Sequence, residues 1–130
     1  MDVNSSETKL VITTLGACSS AQNENGCVQA SGVTRINFNL TGPAKCTVSG
    51  GTWALQHVAL NPPVTEVAAR DFKADLNTGI IEPVSKSNRH ILIEDRNTEA
   101  YTVTYTVTAT CGAATVNSDP RVINDGSGVP

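Results

Sequence analysis

The feature of the sequence that most constrains its fold is an alternating stretch from Tyr101 to Cys111. Every odd position in it is apolar or Cys, and every even position is Thr. Successive side chains of a β-strand point to opposite faces of a sheet, whereas a helix would spread them around its circumference. Thr, Val and Tyr also suit a pleated surface. The stretch therefore predicts one long strand with a buried apolar face and a solvent-facing Thr face.

Other segments repeat this behaviour between turn signals. Thr34, Ile36, Phe38 and Leu40 alternate with polar residues. The full set of predicted strands is 9–15, 33–40, 45–49, 52–60, 80–81, 90–94, 101–111, 113–117 and 121–123. Segment 64–76 fits a short helix or an irregular strand equally well. No repeating βα pattern occurs, so the sequence predicts an all-β domain of seven to nine strands in two antiparallel sheets packed face to face.

The aromatic residues define the expected core. The alternation assigns all five of them to buried positions: Phe38, Trp53, Phe72, Tyr101 and Tyr105. In segment 52–60, Trp53, Leu55 and His57 share one parity and are expected on one face. We expect Trp53 to pack against a disulfide.

Length and composition predict the domain boundaries. A chain of 130 residues is the size of one domain with an ordinary core. Residues 1–8 are polar and are predicted to be a disordered N-terminal extension, 9–123 the domain, and 124–130 a linker or tail within a longer chain. Only 16% of residues are charged, and Thr, Val, Asn, Ser and Gly are abundant, which is typical of extracellular β-modules.

Four cysteines, Cys18, Cys27, Cys46 and Cys111, are predicted to form two structural disulfides. Their number is even, and none belongs to a CxxC pair, which argues against a metal or redox motif. Three pairings are possible. Cys18 with Cys27 is natural because a polar turn separates them, and Cys46 would then pair with Cys111. Disulfides indicate an exported protein, at the cell surface, outside the cell or in the periplasm.

Charge and motifs argue against several classes of function. The net charge is -3 and the nine Lys and Arg are scattered, which disfavours nucleic-acid binding. No apolar run reaches the length of a membrane span, and no signal peptide is visible. Nucleophile-elbow, zinc-protease and phosphate-loop motifs do not occur. His57 and His90 stand alone in strands, and we predict neither catalytic residues nor a cofactor.

Carboxylates offer a weak metal hypothesis. Either Asp71 and Asp75 with Asn77, or Glu94 and Asp95 with Asn97 and Asp119, would supply oxygen ligands for calcium if they met at one end of a sandwich. The sequence lacks an Asp-x-Asp-x-Asp-Gly loop, so solvated turn carboxylates are the simpler interpretation. We predict no metal ligands.

Two binding hypotheses follow from the surface-forming residues. A carbohydrate-binding module needs exposed aromatics that stack on sugars, and here the aromatics are assigned to the core. A flat Thr array for binding a crystalline surface would need several matching strands, and only one is present.

The segment from Asp95 through Tyr101 to Cys111 resembles the penultimate-strand region of immunoglobulin-like domains. There an acidic turn precedes a Tyr, and a Cys lies on the same strand. Cys46 and Trp53 complete the order Cys, Trp, Cys, and the Thr-Val alternation is similar to that of bacterial surface immunoglobulin-like and PKD-like modules. The spacings differ from the usual ones, so the resemblance implies an architecture and no functional residues.

These observations favour a non-catalytic module of a secreted or surface-displayed protein. It would act in adhesion or assembly or as a spacer, and would meet another protein or a surface glycan through end loops such as 18–27. The alternative is a carbohydrate-binding module, in which case Trp53 would be exposed.

Overall fold

The computed structural model describes residues 2–3, 10–11, 27–40, 51–118 and 121–128. It confirms an all-β sandwich of two sheets. The elements, in chain order, are β1 Asp2–Val3, β2 Leu10–Val11, β3 Cys27–Ala30, β4 Thr34–Asn39, β5 Ala54–Leu60, α1 Glu66–Phe72, β6 Ser85–Lys86, β7 His90–Asp95, β8 Ala100–Cys111, β9 Ala114–Ser118 and β10 Arg121–Asp125.

The long strand β8 organises the larger sheet, whose order is β3-β10-β8-β5. β9 and β10 pair with β8 in the same register, β9 from Cys111 opposite Ala114 to Val107 opposite Ser118, and β10 from Thr104 opposite Arg121 to Ala100 opposite Asp125. Gly112, at φ 57, begins the two-residue turn that joins β8 to β9, where a positive φ matches the twist of a hairpin. β3 runs parallel to β10 on its other side. β8 is thus paired by β10 and then β9 along one edge, and by β5 along the other edge from Tyr105 to Thr110.

The smaller sheet has the order β4-β7-β6 and is antiparallel throughout. Its inner residues alternate as predicted: Ile36 and Phe38 on β4 are buried, and so are Ile91 and Ile93 on β7. The two sheets meet where the Phe38 ring packs edge-on against Tyr105 of β8, with centroids 5.6 Å apart. A separate two-stranded pair joins β1 and β2.

Segment 64–76 contains the helix α1. Thr65 caps its start, since the Thr65 Oγ1 accepts a hydrogen bond from the Ala68 N–H at 3.1 Å. Lys73 ends it in a left-handed conformation. Ala68 and Phe72 enter the core, so the helix closes one end of the sandwich.

The parity predicted for segment 52–60 is wrong after Leu55. A β-bulge at Gln56 shifts the register between Leu55 and His57. Leu55 and Val58 are therefore buried, whereas His57 is half-buried. A bulge adds one residue to a strand, so every later side chain changes face.

A neighbouring strand interrupts the solvent-facing Thr row of β8. Thr108 is 8% exposed, because β9 lies beside it, and its hydroxyl donates to Asn117 Oδ1 at 2.9 Å. Thr102 and Thr104 are exposed as predicted. The row is not one flat surface.

Two strands include residues that lie outside the predicted domain range 9–123, and the boundaries themselves stay a prediction. Asp2 and Val3, assigned to a disordered extension, pair with β2. Asn124, assigned to a tail, is a buried residue of β10. Its burial follows from pairing with both β3 and β8, a contact that local composition does not reveal.

Cys27 and Cys111 are both buried, and neither is a free thiol. Cys18 and Cys46 lie outside the described residues, as do most of loop 18–27 and the predicted strand 45–49. Both predicted pairings include one of those cysteines, so the pairings stay predictions. Trp53, 1% exposed, belongs to the same core as Cys111.

Candidate functional site

Polar side chains converge at one end of the sandwich, where β7 and β10 end and β8 begins. We call this end the carboxylate pole and define it by Asp71, Asp95, Asn97, Asn124 and Asp125. The first three came from the two carboxylate groups picked out in the sequence, and the structure brings them together. Asp71, Asp95, Asn97 and Asn124 are all buried.

Asp71 is the best satisfied member of the pole. Its Oδ1 accepts from the Thr98 hydroxyl at 2.7 Å, and its Oδ2 accepts from the Thr98 N–H at 3.2 Å and the Tyr101 hydroxyl at 2.8 Å. Helix α1 is thereby tied to the turn that follows β7. Burial, and then the hydrogen bond to Asp71, raise the pKa of Tyr101, so this phenol remains a donor.

Asn97 links more elements than any other residue of the pole. Its Nδ2 donates to the Gly32 carbonyl at 3.1 Å and to Asp125 Oδ1 at 2.8 Å, and its Oδ1 accepts from the Gly126 N–H at 2.8 Å. The residue sits at φ 54, in the left-handed region that Asn tolerates better than most residues. Its side chain therefore joins three chain segments.

The segment after β10 folds back onto this pole. The Gly128 N–H donates to the Asn97 carbonyl at 2.7 Å. The Ser127 hydroxyl donates to Asp125 Oδ1 at 2.6 Å and accepts from the Gly32 N–H at 2.7 Å. The Ser127 hydrogen bonds to Asp125, followed by the one from Asn97, lower the pKa of that carboxyl. Residues 125–128 are thus tied to the pole by hydrogen bonds.

Glycine is required at Gly128 by a close approach of two backbones. A Cβ built there would lie 1.6 Å from the Arg96 carbonyl oxygen, well inside any tolerable contact. The run from Asp125 to Gly128 looked like linker composition in the sequence. Its alternating glycines were the available signal for a tight structure.

Asp95 is the least satisfied carboxylate. Its Oδ1 accepts from the Asn97 N–H at 2.9 Å and from Asn124 Nδ2 at 3.2 Å. Its Oδ2 is buried without a hydrogen-bond partner, and so is Asn124 Oδ1. Burial raises the pKa of Asp95 to about 6, and the nearby Asp71 adds to the rise, against the lowering effect of the two hydrogen bonds.

The remaining carboxylates named in the sequence lie elsewhere. Asp75 accepts from the N–H groups of Asn77 and Thr78 in its own exposed turn. Glu94 pairs with Arg35 across the outer face of the smaller sheet, at 3.4 Å. Asp119 lies outside the described residues. Within the described part of the chain, no three His, Cys, Asp or Glu side chains are grouped to hold a metal ion.

The two histidines are separated from the pole. His57 lies on β5, where burial and then the charge of Lys86 lower its pKa. His90 is the first residue of β7, and its Nε2 lies 2.9 Å from the exposed Ser85 hydroxyl on the edge strand β6. The structure therefore does not bring them together with the carboxylates of the pole.

Comparisons with protein-family models, curated proteins and solved structures found no match to the chain. Among the described helices, none has the length and apolar character to cross a membrane.

Proposed function

We propose that this domain is a non-catalytic, immunoglobulin-like module of a secreted or surface-displayed protein, serving as a spacer or as an adhesion and assembly domain. The strand order supports the comparison with immunoglobulin-like modules. β4-β7-β6 and β5-β8-β10 correspond to strands B-E-D and C-F-G of the constant-type sandwich, with β3 added beside the last strand. The buried cysteines that are not free thiols fit an exported protein.

The parallel pairing of β3 with β10 carries this proposal. Four residue pairs, from Cys27 opposite Arg121 to Ala30 opposite Asn124, form this ladder. The chain enters β3 at Cys27 and leaves β10 at the carboxylate pole. Tension between the two ends therefore slides the strands past each other, so that all hydrogen bonds of the ladder are strained together. Such an arrangement suits a spacer that holds its shape under tension.

The aromatic residues do not favour carbohydrate binding. All five of them lie within the described residues, and Phe38, Trp53, Phe72 and Tyr105 are buried. Tyr101 is half-buried and its hydroxyl is engaged by Asp71. A sugar-stacking platform needs exposed ring faces, so we put forward no second function.

Single-molecule pulling in two geometries tests the proposal. In the first, handles at the two ends of the chain load the β3–β10 ladder in shear. In the second, one handle is at exposed Glu99, just before β8, and the other is at the C-terminal end. Because Ala100 lies opposite Asp125, this geometry pulls the adjacent ends of β8 and β10 apart one hydrogen bond at a time. We expect a several-fold higher unfolding force in the first geometry at equal loading rate. Equal forces would show that the ladder resists no tension, and the spacer proposal would fail.

A further inference from the structure

Two oxygen atoms at the carboxylate pole are buried without donors, and they belong to residues that already touch. Asp95 is 0% exposed and Asn124 is 3% exposed. Asn124 Nδ2 donates to Asp95 Oδ1 at 3.2 Å, which leaves Asp95 Oδ2 and Asn124 Oδ1 without partners. A buried acceptor without a donor costs free energy. Both acceptors lie in one contact pair, so a single added donor between them would satisfy both.

A proton is the ligand that fits this pair. A hydrogen on Asp95 Oδ2 would donate to Asn124 Oδ1, and the carboxylic acid and the amide would then share two hydrogen bonds. No other bond forms or breaks, and the proton comes from solvent. Neutralising the carboxylate also removes the cost of a buried charge.

A metal ion fits less well. Both oxygens of Asp71 are already occupied by Thr98 and Tyr101. That leaves two free buried oxygens, whereas calcium takes six to eight oxygen ligands. The described residues also contain no metal-binding group of three His, Cys, Asp or Glu.

We propose that Asp95 and Asn124 form a proton-binding site, and that one proton there fastens the end of β7 to the end of β10. When the proton leaves, a buried carboxylate faces an amide oxygen beside Asp71. The pole would then be weaker, and the segment 125–128 that rests on it less firmly held. The firmness of the domain end from which the chain leaves β10 would thus depend on pH. This inference does not rest on the proposed function.

The groups around the site come from each element packed at the pole. Asp71 of α1 repels the ionised form of Asp95. The charges of Asp71 and Asp95 both raise the pKa of Tyr101 on β8. The Arg70 guanidinium of α1 donates to the Thr98 hydroxyl at 3.5 Å. Next to the site, β4 contributes Thr34 opposite Asp95 and β3 contributes Ala30 opposite Asn124. The remaining charged groups at this end are Arg96, Glu99 and Asp125.

The pKa of Asp95 is about 6 in the fold against 3.8 for an ordinary Asp side chain, and this difference sets the pH range over which stability should change. A raised pKa means that the folded state binds the proton more tightly, so this contribution to stability is present at low pH. It is lost as pH rises through the folded pKa. From pH 5 to pH 7 the folding equilibrium constant should fall about tenfold through this group alone. His57 acts with the opposite sign, since its pKa is lowered.

The test compares wild type with Asp95→Asn, which places an N–H where the proposed hydrogen would be. Urea unfolding of both at pH 5 and pH 7 gives two stability differences in which the contribution of His57 cancels. We expect the ratio of the wild-type folding equilibrium constant to that of D95N to fall about tenfold from pH 5 to pH 7. Asp75→Asn is the matched control. The exposed Asp75 has a lowered pKa and stays ionised over this range. The stability difference between wild type and D75N should therefore be the same at pH 5 and pH 7.

A second measurement needs no variant. Carbon-13 NMR titration of the side-chain carboxyl carbons in the wild-type protein should give a midpoint near pH 6 for Asp95. A midpoint at or below pH 4, or a D95N difference that does not change with pH, would overturn the proposal. Stabilisation of wild type but not D95N by millimolar calcium chloride at pH 7 would also overturn it, in favour of a cation at this position.

Discussion

Replacing Asn97 with Ala would remove the side chain that joins three segments at the carboxylate pole. The variant would lose three hydrogen bonds. Asn97 Nδ2 donates to the Gly32 carbonyl and to Asp125 Oδ1, and Asn97 Oδ1 accepts from the Gly126 N–H. Each is worth roughly 0.5–1.5 kcal/mol. Ala at φ 54 also carries a left-handed backbone cost of about 1 kcal/mol. We therefore expect N97A to lower the free energy of unfolding by about 4 kcal/mol.

Two further variants separate these terms. Asn97→Gly loses the same hydrogen bonds without the left-handed cost, so it should lose about 3 kcal/mol. Asn37→Ala is the matched control, because Asn37 is exposed on β4 and surface changes of this kind stay within about 0.5 kcal/mol. Urea unfolding followed by far-UV circular dichroism measures all three. A loss below about 1 kcal/mol for N97A, similar to that of N37A, would refute the role given to Asn97.

Two other predictions concern close packing. Gly128→Ala should destabilise the domain more than Gly32→Ala in urea unfolding. A Cβ at Gly128 meets the Arg96 carbonyl oxygen at 1.6 Å, whereas one at Gly32 meets nothing within 4 Å and adds only the left-handed backbone cost at φ 66, about 1 kcal/mol; equal losses would contradict this. Trp53, at 1% exposure, should emit at short wavelength and resist quenching by acrylamide in the non-reduced protein, and red-shifted, easily quenched emission would place it outside the core.

Local patterns predicted the elements whose burial alternates simply. The inner faces of β4 and β7 and the extent of β8 follow from side-chain period, whereas segment 64–76 fitted a short helix and an irregular strand equally well. The bulge at Gln56 was not predictable, since nothing in the residues around it marks the inserted position. The strand β3 was missed because its four residues form a parallel pair with β10, far away in the sequence.

The candidate site was predictable only where its residues are close together in the sequence. The turn from Asp95 to Asn97 stood out as a cluster of oxygen-bearing side chains after a strand. Asn124 and Gly128 did not, because they contribute through long-range pairing and backbone contact, and their surroundings read as linker composition. Asp71 was found among the carboxylates, but only the fold of α1 against the turn after β7 selects it over Asp75.

Native-state amide hydrogen exchange at Gly126 and Gly128 tests most directly whether the segment after β10 is built into the domain. Their N–H groups donate to the Asn97 side-chain and main-chain oxygens at 2.8 and 2.7 Å. If the pole holds this segment, both amides should at pH 5, below the pKa of Asp95, exchange only with the opening free energy shown by the Val107 amide in the centre of β8. Exchange at nearly unprotected rates, with Val107 fully protected, would show that the segment is a loose tail and would contradict the role assigned to the carboxylate pole.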